Sequence, residues 1–419
     1  MKVFKFGGAS IRNSEAVANM CNIIAANIDE PLVVVVSAMG KTTNALEQVL
    51  QTYSRQGNFE EELSQLKNYH LEILKILIVD HENPVYLSIE HCFDRLTEKV
   101  SERFASFNQK YDQVVSFGEI ISSTIIAAYL KSKNVNVEWV DARQYIRTDE
   151  QFREAKVDWQ ETNHRIQTLE NHLQSAPVIT QGFIGGTVSG FTSTLGREGS
   201  DFTAAIFASA LQANSLTIWK DVPGVLNADP KRWRETIKFD ELSYQEAAEM
   251  TYYGASVIHP KTIKPLADKS IPLLVRSFDF PAEAGTIIHH CNSHEPIPAI
   301  IFKPQQTLVT FKMKDLDFIN EKNLSIIFHV LDKMNIRINM MQNSAVSFTV
   351  CFDDYPVKLD ELLEYLARDF DIRYNQNLML ITIKNYDQQS IDQITENQNI
   401  LVEQKTRNTY QIIVKESFI

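Results

Sequence analysis

The 419 residues suffice for two domains, or for one large and one small. Apolar residues at 44% and charged residues at 22% are ordinary for a globular protein. The net charge of −12 argues against nucleic acid or an anionic membrane as partner, so an anionic ligand needs a local positive site. No run approaches about 18 uninterrupted apolar residues, so no membrane span is expected.

Val3–Phe6 reads as a short strand and Gly7-Gly8 as the turn after it. A helix follows with Val17, Met20, Cys21 and Ile24 on one face. The chain thus opens directly on a strand, without a charged-then-apolar leader. Leu32–Val36 is a continuous apolar run, as in a parallel strand buried on both faces, and completes a strand–helix–strand unit. From Thr42 to about Lys110 the pattern is mostly helical. Val114–Ser116 reads as another strand, with Gly118-Glu119 at its end and a helix through Ile125–Leu130. Further strands are expected at Val137–Val140, Pro177–Gln181, Leu216–Trp219 and Leu273–Arg276. Ser243-Tyr-Gln-Glu246 is a capping box that opens a helix, and Gly254 is placed to end it. The fold class is α/β, an open, mainly parallel sheet sandwiched by helices.

The texture changes near residue 292. Asn292–Pro298 is turn-rich and Lys303-Pro304 punctuates again, which divides the chain into 1–298 and 304–419. The second part predicts a strand at Leu308–Met313, a helix at about 321–334, strands near Ile336–Met341 and Val346–Phe352, a helix at Leu359–Arg368 and a strand at Leu378–Ile383. A shorter echo runs through Ser390–Thr395, Ile400–Lys405 and Tyr410–Val414. This order reads as one α+β ferredoxin-like unit with an abbreviated second copy.

The stretch QGFIGGTVSGFTSTLGREGSDFTAA, Gln181–Ala205, carries the most functional information. Its glycines let backbone approach an anion closely, and it feeds a helix start, where N–H groups and the dipole favour negative charge. A second glycine loop follows Lys5. Two such loops point to a nucleotide enzyme.

The individual residues leave alternatives open. Lys5 holds a phosphate as a point charge, or is a solvated lysine at a strand edge. Ser37-Ala-Met-Gly-Lys-Thr-Thr43 receives a carboxylate or phosphate beyond its strand, or is an ordinary connection with a helix cap. Glu119 meets an ammonium, or complements a helix dipole. Arg197 suits bidentate grip of a carboxylate, and Asp201 caps a helix or orients a lysine. Lys220–Gly224 and Asn227–Lys231 form a nucleotide edge, or plain loops. His289, His290, Cys291 and His294 resemble a metal cluster. Consecutive strand side chains point to opposite faces, however, so one site does not readily collect all four and no metal site is expected. The four cysteines, Cys21, Cys92, Cys291 and Cys351, share no close spacing, which fits a reducing, cytoplasmic setting.

Taken together, KFGGAS (5–10), VVSAMGKTTNAL (35–46), SFGEIIS (116–122), GFTSTLGREGSDFTAA (190–205), WKDVPGVLNADPK (219–231) and LSYQEAAEMTYYGASVIHPKTIKPL (242–266) resemble the aspartate kinases of the amino-acid kinase family. The tail resembles the ACT regulatory domains of those enzymes. The resemblance implies phosphoryl transfer from ATP, with Mg2+ bound chiefly through phosphates, to the side-chain carboxylate of L-aspartate. That is the first step of lysine, threonine and methionine synthesis. It implies that Lys5 neutralises the moving phosphoryl group, with Gly7, Gly8 and Ser10 cradling it and Asp201 organising the lysine. Arg197 would take the substrate α-carboxylate, Glu119 its ammonium, and Ser37 and Thr43 the reacting carboxylate. Lys220, Asp221, Leu226 and Lys231 would line the nucleotide. Ala9, Glu198, Leu226 and Ser256 depart from the family pattern, where threonine, glycine, tyrosine and lysine occur. A homodimer or larger assembly through the tail is expected, with lysine or threonine as feedback effector. Glycine is absent before the first tail helix, where Glu321-Lys-Asn323 stands. The alternatives are another amino-acid kinase, such as a glutamate or N-acetylglutamate kinase, and a non-catalytic amino-acid sensor.

Overall fold

The computed structural model describes residues 1–255, 258–291, 297–314 and 317–415. Ser256, His294 and most of the turn-rich segment at 292–298 lie outside them. Two compact units emerge. One comprises 1–225, 238–248 and 257–293, and the other 226–237, 249–256 and 294–419.

The first unit opens with β1 (Lys2–Phe6), α1 (Ser14–Ala25) and β2 (Leu32–Val36). Asn13 caps α1 by accepting from Ala16 N. Four helices follow: α2 (Thr42–Ser54), α3 (Glu60–Leu77), α4 (Val85–Ser101) and α5 (Phe107–Val115). The strand expected at 114–116 is instead the end of α5, and α6 (Phe117–Ser132) starts one residue later. Its apolar character has a simple cause: Phe107–Ser132 is long and apolar enough to cross a membrane, yet 89% of its most apolar window is buried in the fold. Packed on several sides, such a helix loses the one-sided pattern that separates helix from strand.

Next come β3 (Glu138–Trp139), α7 (Ala142–Tyr145), β4 (Arg147–Thr148), α8 (Trp159–Gln167), α9 (Glu170–Leu173) and β5 (Val178–Gln181). The glycine-rich stretch folds into β6 (Ile184–Thr187), β7 (Thr192–Thr194) and α10 (Gly199–Ala210). Then follow β8 (Ser215–Lys220), β9 (Glu241–Ser243), α11 (Tyr244–Tyr253), α12 (Pro260–Ala267), β10 (Leu273–Ser277) and β11 (Thr286–His289). The capping box is present: Ser243 N donates to Glu246 and Glu246 N to Ser243 Oγ. Gly254 follows α11 at φ +116°.

The main sheet has the order β3-β5-β2-β1-β8-β10-β11-β9. All neighbours pair in parallel except β10 with β11. The valine strand β2 is buried along its whole length. From β1 the chain moves to β2 on one side and later to β8 on the other. A crevice therefore opens at the carboxyl ends of these central strands, where ligands of such sheets bind.

The second unit contains β12 (Ala299–Met313), α13 (Glu321–Lys333), β13 (Ile338–Asn343), β14 (Ser347–Asp353) and α14 (Pro356–Leu366). It ends with β15 (Phe370–Lys384), α15 (Gln388–Thr395), β16 (Ile400–Lys405) and β17 (Thr409–Lys415). These strands make one antiparallel sheet, β13-β14-β12-β15-β17-β16. Lys303-Pro304 does not break the chain: β12 runs through it, with register irregularities between Lys303 and Leu308. The far half of β12 pairs with β14, and its near half, 299–303, pairs with 380–384 of β15. The short second copy thus borrows a strand that precedes the first copy.

Candidate active site

β1 lies at the centre of the sheet, and Lys5 on it is only 8% exposed. This corrects the reading of a solvated strand-edge lysine. Lys5 Nζ lies 2.5 Å from Asp201 Oδ1, and Asp201 is 3% exposed in the first turn of α10. The pair therefore sits at the positive end of a helix dipole. The turn beyond β1 is held tightly: Gly40 N donates to Gly8 O at 3.0 Å. A Cβ on Gly8 would stand 2.7 Å from Ala38 O, so only glycine fits there.

A pocket of about 270 Å³ collects Lys5, Gly8, Ser37, Thr43, Glu119 and Asp201. Residues 5–201 of the sequence motifs thus converge from β1, the loop after β2, α2, α6 and α10. Phe183, Gly196, Glu198, Gly199 and Ser200 join them. Arg197 is exposed and lines a larger adjoining cavity of about 570 Å³, together with Thr43, Phe183 and Gly196, which border both.

Glu119 is 3% exposed. One carboxylate oxygen accepts from Ala38 N at 3.2 Å, and the other has no hydrogen-bond partner. Burial pushes its pKa up to about 8, against which the backbone hydrogen bonds pull only partly. A desolvated carboxyl with a free oxygen in a polar pocket is a receptor for a cation, because an ammonium restores what desolvation takes away.

Ser10 departs from expectation. It is buried, and its hydroxyl is directed at Trp219 O, 3.4 Å away, so it braces β1 against β8. Gly7 is half-buried beside Lys5 Nζ. Lys220 and Asp221 lie at the end of β8 in the first unit. Leu226 and Lys231 belong to the 226–237 segment of the second unit. There Leu226 is half-buried, while Lys231 is exposed and its N–H donates to Asp229.

Glu198 precedes α10 with φ +53°, the left-handed region that favours glycine. Its carboxylate is engaged, accepting from His259 N at 2.8 Å.

Several residues in or beside these cavities were not singled out in the sequence. Phe183 and Ser200 lie within the glycine-rich stretch 181–205, which singled out neither of them. Asp112 lies outside that stretch. It is buried, and accepts from Thr194 N, Thr194 Oγ1 and Arg153 N. Burial pushes its pKa up to about 6, even against those hydrogen bonds. It ties α5 to β7 and to the loop that presents Arg153 and Glu154 to the larger cavity. Arg153 also stands over the Tyr111 ring, 4.2 Å from its centre.

At the β9 edge of the main sheet, Glu241, His289 and Cys291 offer ligand atoms within 4.8 Å of one another. Of the four residues the sequence singled out, His290 packs on Tyr244 and His294 lies outside the described residues, while His289 at the end of β11 and Cys291 beyond a bend meet Glu241 of the neighbouring strand.

The amino acid kinase family model matches residues 1–277, so the chain belongs to that family. Lysine-sensitive aspartokinase 3 of Escherichia coli (strain K12) is 33% identical over 358 residues, covering 84% of this chain and 78% of that protein. Aspartokinase 1, chloroplastic, of Arabidopsis thaliana is 30% identical over 86% of this chain and 65% of that protein. The structure of E. coli aspartokinase III with aspartate and ADP (R-state) superposes with a TM-score of 0.86, at 28% identity over 99% of this chain and 96% of that one. The same enzyme with lysine and aspartate (T-state) gives 0.81, with the same identity and coverage. Within its family, the chain belongs with the aspartokinases.

Proposed function

We propose that this kinase transfers the γ-phosphoryl group of ATP to the side-chain carboxylate of L-aspartate, giving 4-phospho-L-aspartate and ADP. The observation that carries the reading is Glu119: a buried carboxyl with a free oxygen, in the same pocket as the Lys5–Asp201 pair. An amino group and a phosphoryl group are thereby given separate, oppositely charged partners. Glu119 takes the substrate ammonium, Arg197 its α-carboxylate, and Ser37 and Thr43 orient the reacting carboxylate. A carboxylate oxygen forms the new bond to phosphorus as the bond to the β-phosphate oxygen breaks. The nucleophile is already ionised, so no general base is required, and positioning with charge neutralisation provides the catalysis. Lys5 offsets phosphoryl charge, Gly7 and Gly8 give the phosphates room, and Asp201 holds Lys5. Lys220, Asp221, Leu226 and Lys231 are assigned to the nucleotide.

Magnesium fits this reading only through the phosphates. Of the pocket carboxylates, Asp201 faces Lys5, Glu198 accepts from His259 N, and Glu119 accepts from Ala38 N. They form no carboxylate cage, and no protein ligand is assigned. When bound, the ion would neutralise charge on the β- and γ-phosphates.

The proposal extends to regulation. Residues 304–419 would form an ACT-type region with lysine as effector and threonine as the alternative, and the assembly would be a homodimer or larger. Support comes from the lysine-sensitive E. coli relative and its lysine complex. The first turn of α13 lacks glycine, and Asn320 and Asn323 cap each other there. The reaction would open lysine, threonine and methionine synthesis in the cytoplasm, a setting in which the four free thiols remain reduced.

The test is ADP release with aspartate, glutamate and N-acetylglutamate, each with and without lysine and threonine. Aspartate alone should support turnover, and lysine should depress it. Turnover with glutamate would assign another amino-acid kinase. Lysine binding without any turnover would assign a sensor.

A further inference from the structure

We propose that Glu241, His289 and Cys291 form a binding site for a single divalent metal ion of borderline softness, Zn2+ before others. The site lies well away from the phosphoryl-transfer pocket. Register runs from Val3 to Leu216, from Leu216 to Leu273, and from Leu273 to Ile288. His289 therefore stands level with the amino-terminal ends of the parallel strands, whereas the pocket opens at their carboxyl ends.

Three observations point to an ion rather than to a plain surface pair. First, the donor set is mixed. A thiol, an imidazole and a carboxylate lie within 4.8 Å of one another, and His289 Nε2 is already 3.1 Å from Glu241 Oε2. Zinc bonds of about 2.0–2.3 Å set tetrahedral ligands about 3.5 Å apart, so side-chain rotation alone closes the site. Second, the backbone arranges the donors. His289 ends β11, and a bend at His290 carries Cys291 to within ligand distance of it. In the parallel pairing of β11 with β9, Ser243 stands opposite His289, and Glu241 is two residues away from Ser243 on that same face. Third, His290 between the two donors does not compete for the ion: its ring packs edge-on against Tyr244, with 5.0 Å between ring centres.

The mix of sulfur, nitrogen and oxygen suits zinc and disfavours magnesium or calcium, which take oxygen alone. Three protein ligands leave a fourth position to water or to a further group. The ion would tie the edge strand β9 to β11 just before β9 leads into α11.

The experiment uses the full chain, stripped with a chelator and dialysed. Zn2+ is titrated against a chromophoric competitor, and Co2+ binding is followed by absorption. The expected result is one ion per chain and a thiolate-to-cobalt charge-transfer band. Cys291→Ser should remove that band, and both Cys291→Ser and His289→Gln should weaken Zn2+ by at least about tenfold. Glu241→Gln should weaken it less. Circular dichroism and unaltered kinase turnover in zinc-free buffer would show that the variants are folded. The proposal fails if the stripped protein binds no Zn2+ saturably, or if Cys291→Ser and His289→Gln bind it as the parent does.

Discussion

In the parallel sheet, the ends of the central strands gather ionisable groups whose needs are only partly met inside the protein. Glu119 keeps an unpartnered buried oxygen, and the Lys5–Asp201 pair faces a pocket. The antiparallel sheet of the second unit also carries a polar cluster, gathered around the buried Gln306, but there the groups satisfy one another. Gln306 Nε2 donates to Asp353 and to Pro304 O, Asn339 Nδ2 donates to both Gln306 and Asp353, and Lys303 Nζ reaches Asn339 and Asp353 at 2.8 Å. Burial alone would raise the Asp353 carboxyl, yet hydrogen bonds from Gln306 and Lys303 hold it below its ordinary range. A network closed on itself fixes structure, in this case the register where the two halves of β12 meet. An incomplete one leaves room for a ligand.

The sharpest break in this contrast is Lys5→Met. Loss of a cation placed for transition-state charge costs about 3–4 kcal/mol, so kcat should fall about 10²- to 10³-fold in a steady-state assay. Because Asp201 is buried, its carboxylate would also lose its partner. The melting temperature should drop with it, and Lys5→Met/Asp201→Asn should recover stability without recovering turnover. Near-parental kcat in Lys5→Met would remove the lysine from the chemistry.

Arg197→Ala and Glu119→Gln should raise the aspartate KM about ten- to hundredfold, since a charge-assisted hydrogen bond contributes about 1.5–3 kcal/mol, and should spare the ATP KM. The pH dependence sharpens this. Glu119 titrates near 8 in the fold against 4.5 otherwise, so the unliganded protein holds that proton more tightly folded than unfolded. Its stability should fall as pH rises from about 4.5 to about 8. Asp112, pushed up to about 6, adds to the lower part of that fall. An ammonium on Glu119 favours the ionised form, so protection by aspartate in thermal melts should grow across the same window. Glu119→Gln should abolish that growth and leave the Asp112 part. A pH-independent aspartate effect in the parent would refute the assignment.

Asp353→Ala tests the other half of the comparison. It strands Lys303, Asn339 and Gln306, which should cost about 1–3 kcal/mol in chemical denaturation while kcat for aspartate stays near parental. A large loss of kcat at unchanged stability would mean that this network is not merely structural.

Most of both sheets was legible in the sequence, because strands buried on both faces read as plain apolar runs and amphipathic helices keep their period. The runs that misled did so for physical reasons. Val114 and Val115 close α5 directly before α6 begins, and it is α6, buried on nearly every face, that keeps little helical period. Pro304 sits inside β12 because the register irregularity there relieves the proline of a ladder hydrogen bond. In the site, residues carried by glycine motifs were legible, since glycine marks where backbone must approach closely. Asp112 and Arg153 were not. Their roles depend on a contact between α5 and a loop some forty residues later, which no local pattern encodes.

The smallest expected effect concerns Glu198, where the two kinds of polar accounting meet in one residue. Its backbone is left-handed, which disfavours a residue with a Cβ by about 1 kcal/mol, while its carboxylate serves His259 N. Glu198→Ala keeps the backbone strain and loses the hydrogen bond. Glu198→Gly loses the hydrogen bond but relieves the strain. The difference between the two variants therefore isolates the backbone term, and glycine should be the more stable by about 1 kcal/mol, less the extra freedom glycine gains when unfolded. Both variants also remove a negative charge from a pocket assigned to phosphates, so both should lower the ATP KM modestly and equally. Should alanine prove as stable as glycine, the left-handed turn is not what Glu198 costs the fold. Should the ATP KM rise instead, the contact to His259 shapes the nucleotide pocket, and the carboxylate belongs with the closed networks rather than with the open ones.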